Sequence, residues 1–192
     1  MEGIQHRAGN EKLIHVTDAF AEFGVERRPW LDPAVLQSRY HELAAVRHPD
    51  KCGGDPLPLA CLNEARAILT SPPLRLRHLL ALDGSRGAPA EKFHPDFELF
   101  SHVGTLTKKA EQLSGKMAAA SPAEAASLQK QISAALDRIN LRMDALERKI
   151  RLLNEGWPDV NPQVLPPVAD EFSFLIKWRK SLRSARTCLS GG

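Results

Sequence analysis

Apolar residues in this chain recur every three or four positions and almost nowhere in strict alternation, which predicts amphipathic helices and argues against strands. The first such stretch is short. In residues 17–24, TDAFAEFG, Thr17 is placed to cap a helix and Gly24 to end it. After the loop VERRPWL, Asp32-Pro33 predicts a second helix start: the carboxylate accepts from the free N–H groups of a first turn, and proline has no N–H to leave unpaired there. Leu36, Tyr40, Leu43 and Ala44 share one face of that helix, which is expected to stop at Pro49. Residues 51–58, KCGGDPLP, read as loop. A third helix is predicted through LACLNEARAILT, with Leu59, Leu62, Ala65 and Leu69 on one side. A fourth follows from Ser71-Pro72 through RLRHLLAL to Asp83-Gly84.

Residues 85–92, SRGAPAEK, have linker composition, and a second module opens near Phe93. Phe97, Phe100, Val103, Ala110, Leu113 and Met117 are expected to mark one face of its first helix. Ser121-Pro122-Ala123-Glu124 then has capping-box spacing. Behind it, Ile132, Leu136, Ile139, Met143, Leu146, Ile150 and Leu153 alternate spacings of four and three, a heptad seam. The short turn at Ala120-Ser121-Pro122 predicts an antiparallel hairpin with the preceding helix. The prolines of residues 156–168, GWPDVNPQVLPPV, predict an extended connector. A last helix is expected from near Asp170, with Phe172, Leu175, Arg179 and Leu182 along one side, packed back on the hairpin. The fold class is therefore all-α: a tail over 1–12, a four-helix domain over 13–84, a linker over 85–92, and a three-helix bundle over 93–192.

Composition adds few constraints. At 192 residues, 43% hydrophobic and 26% charged, the chain is ordinary globular material. A net charge of +3 is too small to imply nucleic-acid binding by itself. Its placement is more informative. The first ninety residues carry as many acids as bases, so the excess lies in the second half, much of it at Lys177, Arg179, Lys180, Arg183 and Arg186. Such a stretch is either a solvated helix face or a surface for acidic partners or lipid. Cys52, Cys61 and Cys188 form no Cys-x-x-Cys pair, so neither a disulfide framework nor a zinc knuckle is indicated, and a cytoplasmic setting is the default. No apolar run approaches the ~18 residues of a spanning helix. The N-terminal residues contain no apolar signal core, so export is not expected.

A search for catalytic chemistry finds no phosphate loop of Walker spacing, no G-x-S-x-G and no H-E-x-x-H. Cys52, Cys61 and nearby His48 are too few and too irregularly spaced to predict a metal site, and neither a cofactor nor a metal is expected. The informative feature is His48-Pro49-Asp50, directly after an amphipathic helix and opening a Gly/Pro loop before another. Proline fixes the backbone, Asp50 offers a carboxylate that accepts two bonds from an arginine, and His48 adds a planar donor or acceptor. Arg39, Arg47 and Lys51 flank it with positive charge that can steer an acidic partner. The tripeptide recurs as His94-Pro95-Asp96, without a preceding helix. There, proline and an early acid are simply good first-turn residues.

Helix, HPD loop, then a helix with LNEA resembles the J-domain of DnaJ-type co-chaperones. AFAEFGV, RRPWLDPAVL, RYHELAAVRHPDK, LNEARAIL and PPLRLRHLLALDG further resemble successive blocks of the HscB family, the J-proteins of iron–sulfur cluster assembly. Beyond these blocks, the helical hairpin and the final helix with FLIKWRKS resemble their client-binding module in length and order. The resemblance implies a protein with no covalent chemistry of its own. It would dock on a DnaK-type chaperone ATPase through His48, Pro49 and Asp50, with Arg39, Arg47 and Lys51 as electrostatic contacts and Tyr40 packed inside the J-domain. It would stimulate ATP hydrolysis and deliver an iron–sulfur scaffold protein as client. Leu99, Phe100, Val103 and Phe174 match the apolar part of the family's client patch. Gly104, Lys108 and Lys109 stand where the family has glutamates, and Glu42, Ala44 and Ala45 make the second helix less basic than in many J-domains. Alternatives are a J-protein with another client, reached through the basic last helix, and a structural protein whose heptad hairpin self-associates while the HPD loop is idle. The chain is expected to be a monomer or weak dimer, with no nucleic-acid partner and no membrane span.

Overall fold

The computed structural model describes residues 16–84, 93–114 and 121–190. These form α1 (Ala19–Phe23), α2 (Pro33–Val46), α3 (Leu57–Thr70), α4 (Pro72–Leu82), α5 (Phe97–Ser114), α6 (Pro122–Glu155) and α7 (Leu165–Ser190), with short 3-10 turns at Pro49–Lys51 and Pro162–Val164 and no strand among the described residues. The class is all-α, as the periodicity predicts. The expected linker 85–92, Met117 and Ala120 lie outside the described residues.

Contacts group the chain into two compact units. The first comprises α1 to α3, through Glu26 and from Leu31 to Thr70. Its core is Ala19, Phe20, Phe23, Leu36, Leu62, Ala65 and Leu69, with α1 and α2 both packed on α3. The cap of α1 is Asp18, not Thr17: its Oδ1 accepts from the backbone N–H of Phe20 at 2.9 Å and of Ala21 at 3.1 Å, two orphan donors satisfied by one carboxylate. Gly24 ends the helix at φ +61, a left-handed conformation open to glycine at little cost. Tyr40 bridges α2 and α3. Its hydroxyl donates to Asn63 Oδ1 at 2.8 Å, and the Arg66 guanidinium lies 4.1 Å from its ring centre.

The second unit comprises α4 to α7 together with the segment Arg27–Trp30. Grouped by contacts, α4 falls here, so this division differs by one helix from the division that motifs imply. The helix around which this unit is built is α7, against which α4, α5 and α6 all pack. It begins at Leu165, earlier than expected, and the extended connector is correspondingly shorter. Pro166 and Pro167 sit in the first turn, where backbone N–H groups have no intrahelical partner, so these prolines sacrifice no hydrogen bond. On α5 the buried residues are Leu99, Val103, Leu106 and Ala110. Of the face expected to be core, Val103 and Ala110 are buried but Phe97 and Phe100 are exposed, and Leu99 and Leu106 take their place. The α6 seam is as predicted at Ile132, Leu136, Ile139, Leu146 and Ile150, with Leu128 and Ala135 added. Met143 and Leu153 are only half-buried. Ser121 occupies the N-cap position of α6, but its side chain makes no cap hydrogen bond, so the capping box is not formed.

Polar contacts tie these helices to one another. Arg77 on α4 reaches Asp170 at 2.8 Å and Ser173 at 3.0 Å on α7, and Arg142 on α6 pairs with Glu171 at 2.5 Å. Arg75 on α4 is buried, and its Nε donates to the Pro29 carbonyl at 2.9 Å. Burial pushes its pKa down to about 10, against the opposing pull of Glu147. A cation whose pKa falls on folding costs stability at neutral pH, and that cost lifts only as pH rises through about 10. Trp30 N–H donates to Asn154 Oδ1 at 3.3 Å, and the Arg151 guanidinium lies 4.8 Å from the Trp30 ring centre. Among the described residues, no helix is long and apolar enough to cross a membrane.

Trp30, Trp157 and Trp178 all lie in the second unit, so tryptophan fluorescence during urea unfolding reads that unit alone. Arg75→Ala removes the donor to the Pro29 carbonyl and leaves a buried void. The expected loss by this measurement is about 2–4 kcal/mol. An unchanged midpoint would show that Arg75 does not hold the 27–30 segment.

Candidate functional site

The HPD turn is shaped by local backbone physics. Residues before proline are driven out of the helical region, and His48 accordingly adopts φ −61, ψ 138. The helix therefore closes at Val46, three residues before Pro49, with Arg47 N–H donating to the Leu43 carbonyl at 2.9 Å. Pro49–Lys51 winds into a 3-10 turn whose closing bonds run from Lys51 and Cys52 N–H to the His48 carbonyl, at 2.8 and 3.1 Å, and from Gly54 N–H to the Pro49 carbonyl at 2.8 Å. Gly54 at φ +87 reverses the chain. Asp55 Oδ1 then accepts from Leu57 N–H at 3.0 Å and starts α3. Residues 51–58, read from sequence as loop, are thus a hydrogen-bonded turn followed by the first residues of a helix.

This scaffold presents the tripeptide outward. The side chains of His48 and Asp50 are 56% and 88% exposed. His48 Nδ1 accepts from Asp50 N–H at 3.4 Å, with Asp50 Oδ2 3.3 Å from the same nitrogen, so the imidazole and carboxylate lie side by side on one exposed surface. Of the three cations expected to assist, two have partners inside the fold. Arg47 pairs with Glu22, tying α1 to the end of α2, and Arg39 pairs with Glu42 at 3.0 Å. Glu22 carries no sequence signature for this role; only the close packing of α1 reveals it. Lys51 is exposed and has no ion pair among the described residues. The second tripeptide has a different structural use: Asp96 Oδ1 accepts from Leu99 N–H at 3.0 Å at the start of α5.

The residues expected to form an apolar patch separate by burial. Leu99 and Val103 are core at 6% and 4% exposure, whereas Phe100 and Phe174 are open at 52% and 36%. The sequence reading missed two neighbours that complete an aromatic face: Phe93 and Trp178. Ring centres run Phe93–Phe174–Trp178–Phe100 at 5.3, 5.9 and 6.0 Å. Phe174 and Trp178 are four apart on one helix, a spacing from which the pairing could have been read. A groove of about 490 Å³ beside this ladder is lined by Phe100, Val103, Lys108, Phe174, Lys177 and Trp178. Cys52 and Cys61 are half-buried and Cys188 is exposed. No group of three or more His, Cys, Asp or Glu among the described residues is placed to hold a metal ion.

An all-α architecture with an exposed HPD turn between two packed helices narrows the comparison with known proteins. No family model matches the chain. Among solved structures, it is similar to the chaperone HscB from Vibrio cholerae, with 17% identity and a TM-score of 0.60, over 90% of this chain and 99% of that one. The chain therefore has the HscB type of fold.

Gly54→Ala places a side chain at φ +87, in open space but in a disfavoured backbone region, and is expected to cost about 1–2 kcal/mol. Amide exchange at Lys51 and Cys52, whose N–H groups close the turn, should quicken about tenfold. Unchanged exchange would show that the turn holds without this glycine.

Proposed function

We propose that this chain is a J-domain co-chaperone. It docks on a DnaK-type ATPase through His48, Pro49 and Asp50, stimulates ATP hydrolysis by that partner, and delivers a client held on the second unit. The observation that carries this reading is the exposed HPD turn at the end of α2, in a fold of the HscB type. The chain acts as a regulator and forms no bond itself. Stimulation is a coupling free energy: the turn must bind the hydrolysis-competent conformation of the ATPase better than its alternative. A hundredfold stimulation corresponds to about 2.7 kcal/mol of such preference.

The carboxylate of Asp50 supplies a charge-assisted acceptor for an arginine of the ATPase, and the 3-10 turn holds it in place before contact, which lowers the entropy lost on docking. Arg47 acts indirectly by fixing α1 against the end of α2, leaving Lys51 as the open cation. The proposed client is the iron–sulfur scaffold protein, engaged by Phe100, Phe174 and the exposed edge of the aromatic ladder in a cytoplasmic setting. Leu99 and Val103 support that face from beneath. Lys108 and Lys177, against the one acid Glu111, leave the groove net positive and favour a client segment with a carboxylate beside its apolar anchors.

Single-turnover ATP hydrolysis by the host's DnaK-type chaperones tests the docking half. Asp50→Asn is expected to abolish stimulation, and Asp96→Asn, at a helix cap, to leave it intact. Stimulation by neither wild type nor variants, with the protein folded, would defeat the reading. Phe100→Ser with Phe174→Ser is expected to weaken scaffold binding by more than about tenfold while client-independent stimulation persists. Unchanged scaffold affinity would remove the aromatic face from the client site.

A further inference from the structure

We infer that the outer face of the C-terminal half of α7 is a docking ridge for an acidic protein segment, separate from the aromatic groove. From Phe172 to the end of the sequence there is no Asp or Glu, while Lys177, Arg179, Lys180, Arg183 and Arg186 are all positive. The chain's whole net charge of +3 is smaller than the charge on this one stretch. Arg179, Lys180 and Arg183 line one shallow surface of about 500 Å³ with Ile176, Ser184 and Thr187, all from α7, and share no residue with the aromatic groove.

Among the described residues, the fold leaves Lys177, Arg179, Lys180 and Arg183 of this stretch without an ion pair. Three other arginines are paired across helices: Arg47 with Glu22, Arg77 with Asp170, Arg142 with Glu171. Like charges three and four positions apart, as at Lys180–Arg183 and Arg179–Arg183, each cost a few tenths of a kcal/mol. The favourable field of the helix C-terminus is confined to about the last turn, beyond Arg183, in a helix that ends at Ser190. Repulsion is therefore left uncompensated within the fold, and a partner's carboxylates would relieve it.

The surroundings select a protein segment over the other polyanions. A membrane-surface helix needs an apolar side to insert, but Leu175, Trp178, Leu182 and Ala185 are buried in the bundle, and no large exposed apolar residue lies between Ile176 and Leu189. A nucleic-acid surface would combine charge with exposed stacking platforms, and the ridge carries no aromatic residue. The ridge spacing of three and four residues, about 6 Å from Arg179 to Arg183 at 1.5 Å per residue, matches acids repeated once per turn on a helical partner.

The test uses the full chain and a labelled Glu/Ala peptide with carboxylates at three- and four-residue spacing, read by fluorescence anisotropy at low and moderate salt. The ridge variant Arg179→Gln/Lys180→Gln/Arg183→Gln is compared with Lys130→Gln/Arg148→Gln/Lys149→Gln, which removes as much charge from exposed positions on α6. Circular dichroism confirms that both fold. The ridge variant is expected to lose peptide affinity about tenfold and the control less than about twofold, with wild-type binding weakened by salt. Equal losses in both variants, no binding by wild type, or tighter ridge-dependent binding to phosphatidylserine vesicles or to a short DNA duplex would each overturn the inference. ATPase stimulation through the HPD turn is measured in parallel, so failure of the ridge and failure of the co-chaperone reading are told apart.

Discussion

Burial of α7 by three neighbours is the constraint on which the second unit depends. Leu165, Val168, Ala169, Phe172 and Leu175 in its first half, and Trp178, Leu182 and Ala185 in its second, are all buried. A helix that meets α4, α5 and α6 cannot confine its apolar residues to one narrow stripe, and each large side chain fully buried contributes about 1.5–3 kcal/mol. The same constraint makes the unit non-local. Arg77 meets Asp170 across 93 residues of sequence, and Trp30 meets Asn154 across 124. The core of this unit therefore closes only when the last part of the chain is in place.

That non-local character marks where sequence reasoning succeeds and where it stops. Asp32-Pro33, the four-three seam of α6 and the pre-proline end of α2 are dictated by neighbours within a few residues, and those elements are visible in sequence. The start of α7 was masked by Pro166-Pro167, which break a helix in its interior but are harmless in its first turn. The apolar face of α5 was misread because Phe97 and Phe100 are the most hydrophobic-looking residues there. Leu99, Val103, Leu106 and Ala110 form the alternative four-three-four set, and only the position of α7 decides which set is buried. The membership of α4 had no local signal at all, since Leu76 and Leu79 would serve as core residues in either unit. At the candidate site, the HPD turn was legible because its geometry is local. The occupation of Arg47 by Glu22 was not, because it depends on packing across 25 residues.

Two copies of one tripeptide show how context decides its use. Both place proline ahead of an acid. At His94-Pro95-Asp96 a helix follows at once, so the Asp96 carboxylate is drawn back to a backbone N–H and is consumed in capping. At His48-Pro49-Asp50 a 3-10 turn and two positive-φ glycines follow, and the cap of the next helix is supplied five residues later by Asp55. Asp50 is thereby released from any capping duty. A carboxylate freed from its own backbone and held on a hydrogen-bonded turn is preorganised to meet an external donor.

The distribution of positive charge follows the same division between what the fold consumes and what it leaves available. Arg39 and Arg47 are paired within the fold, so under the proposed docking, recognition would rest on the short-range geometry of His48 and Asp50 more than on a field that steers from a distance. On α7 the relation is reversed. Arg179, Lys180 and Arg183 have no ion pair among the described residues, yet the helix that carries them is fixed by its buried inner face. A surface that is costly in isolation, rigidly placed and unused by the core gains free energy when opposite charge arrives, and little ordering entropy opposes that gain. The residues that anchor α7 inward thus also determine what its outer face can bind.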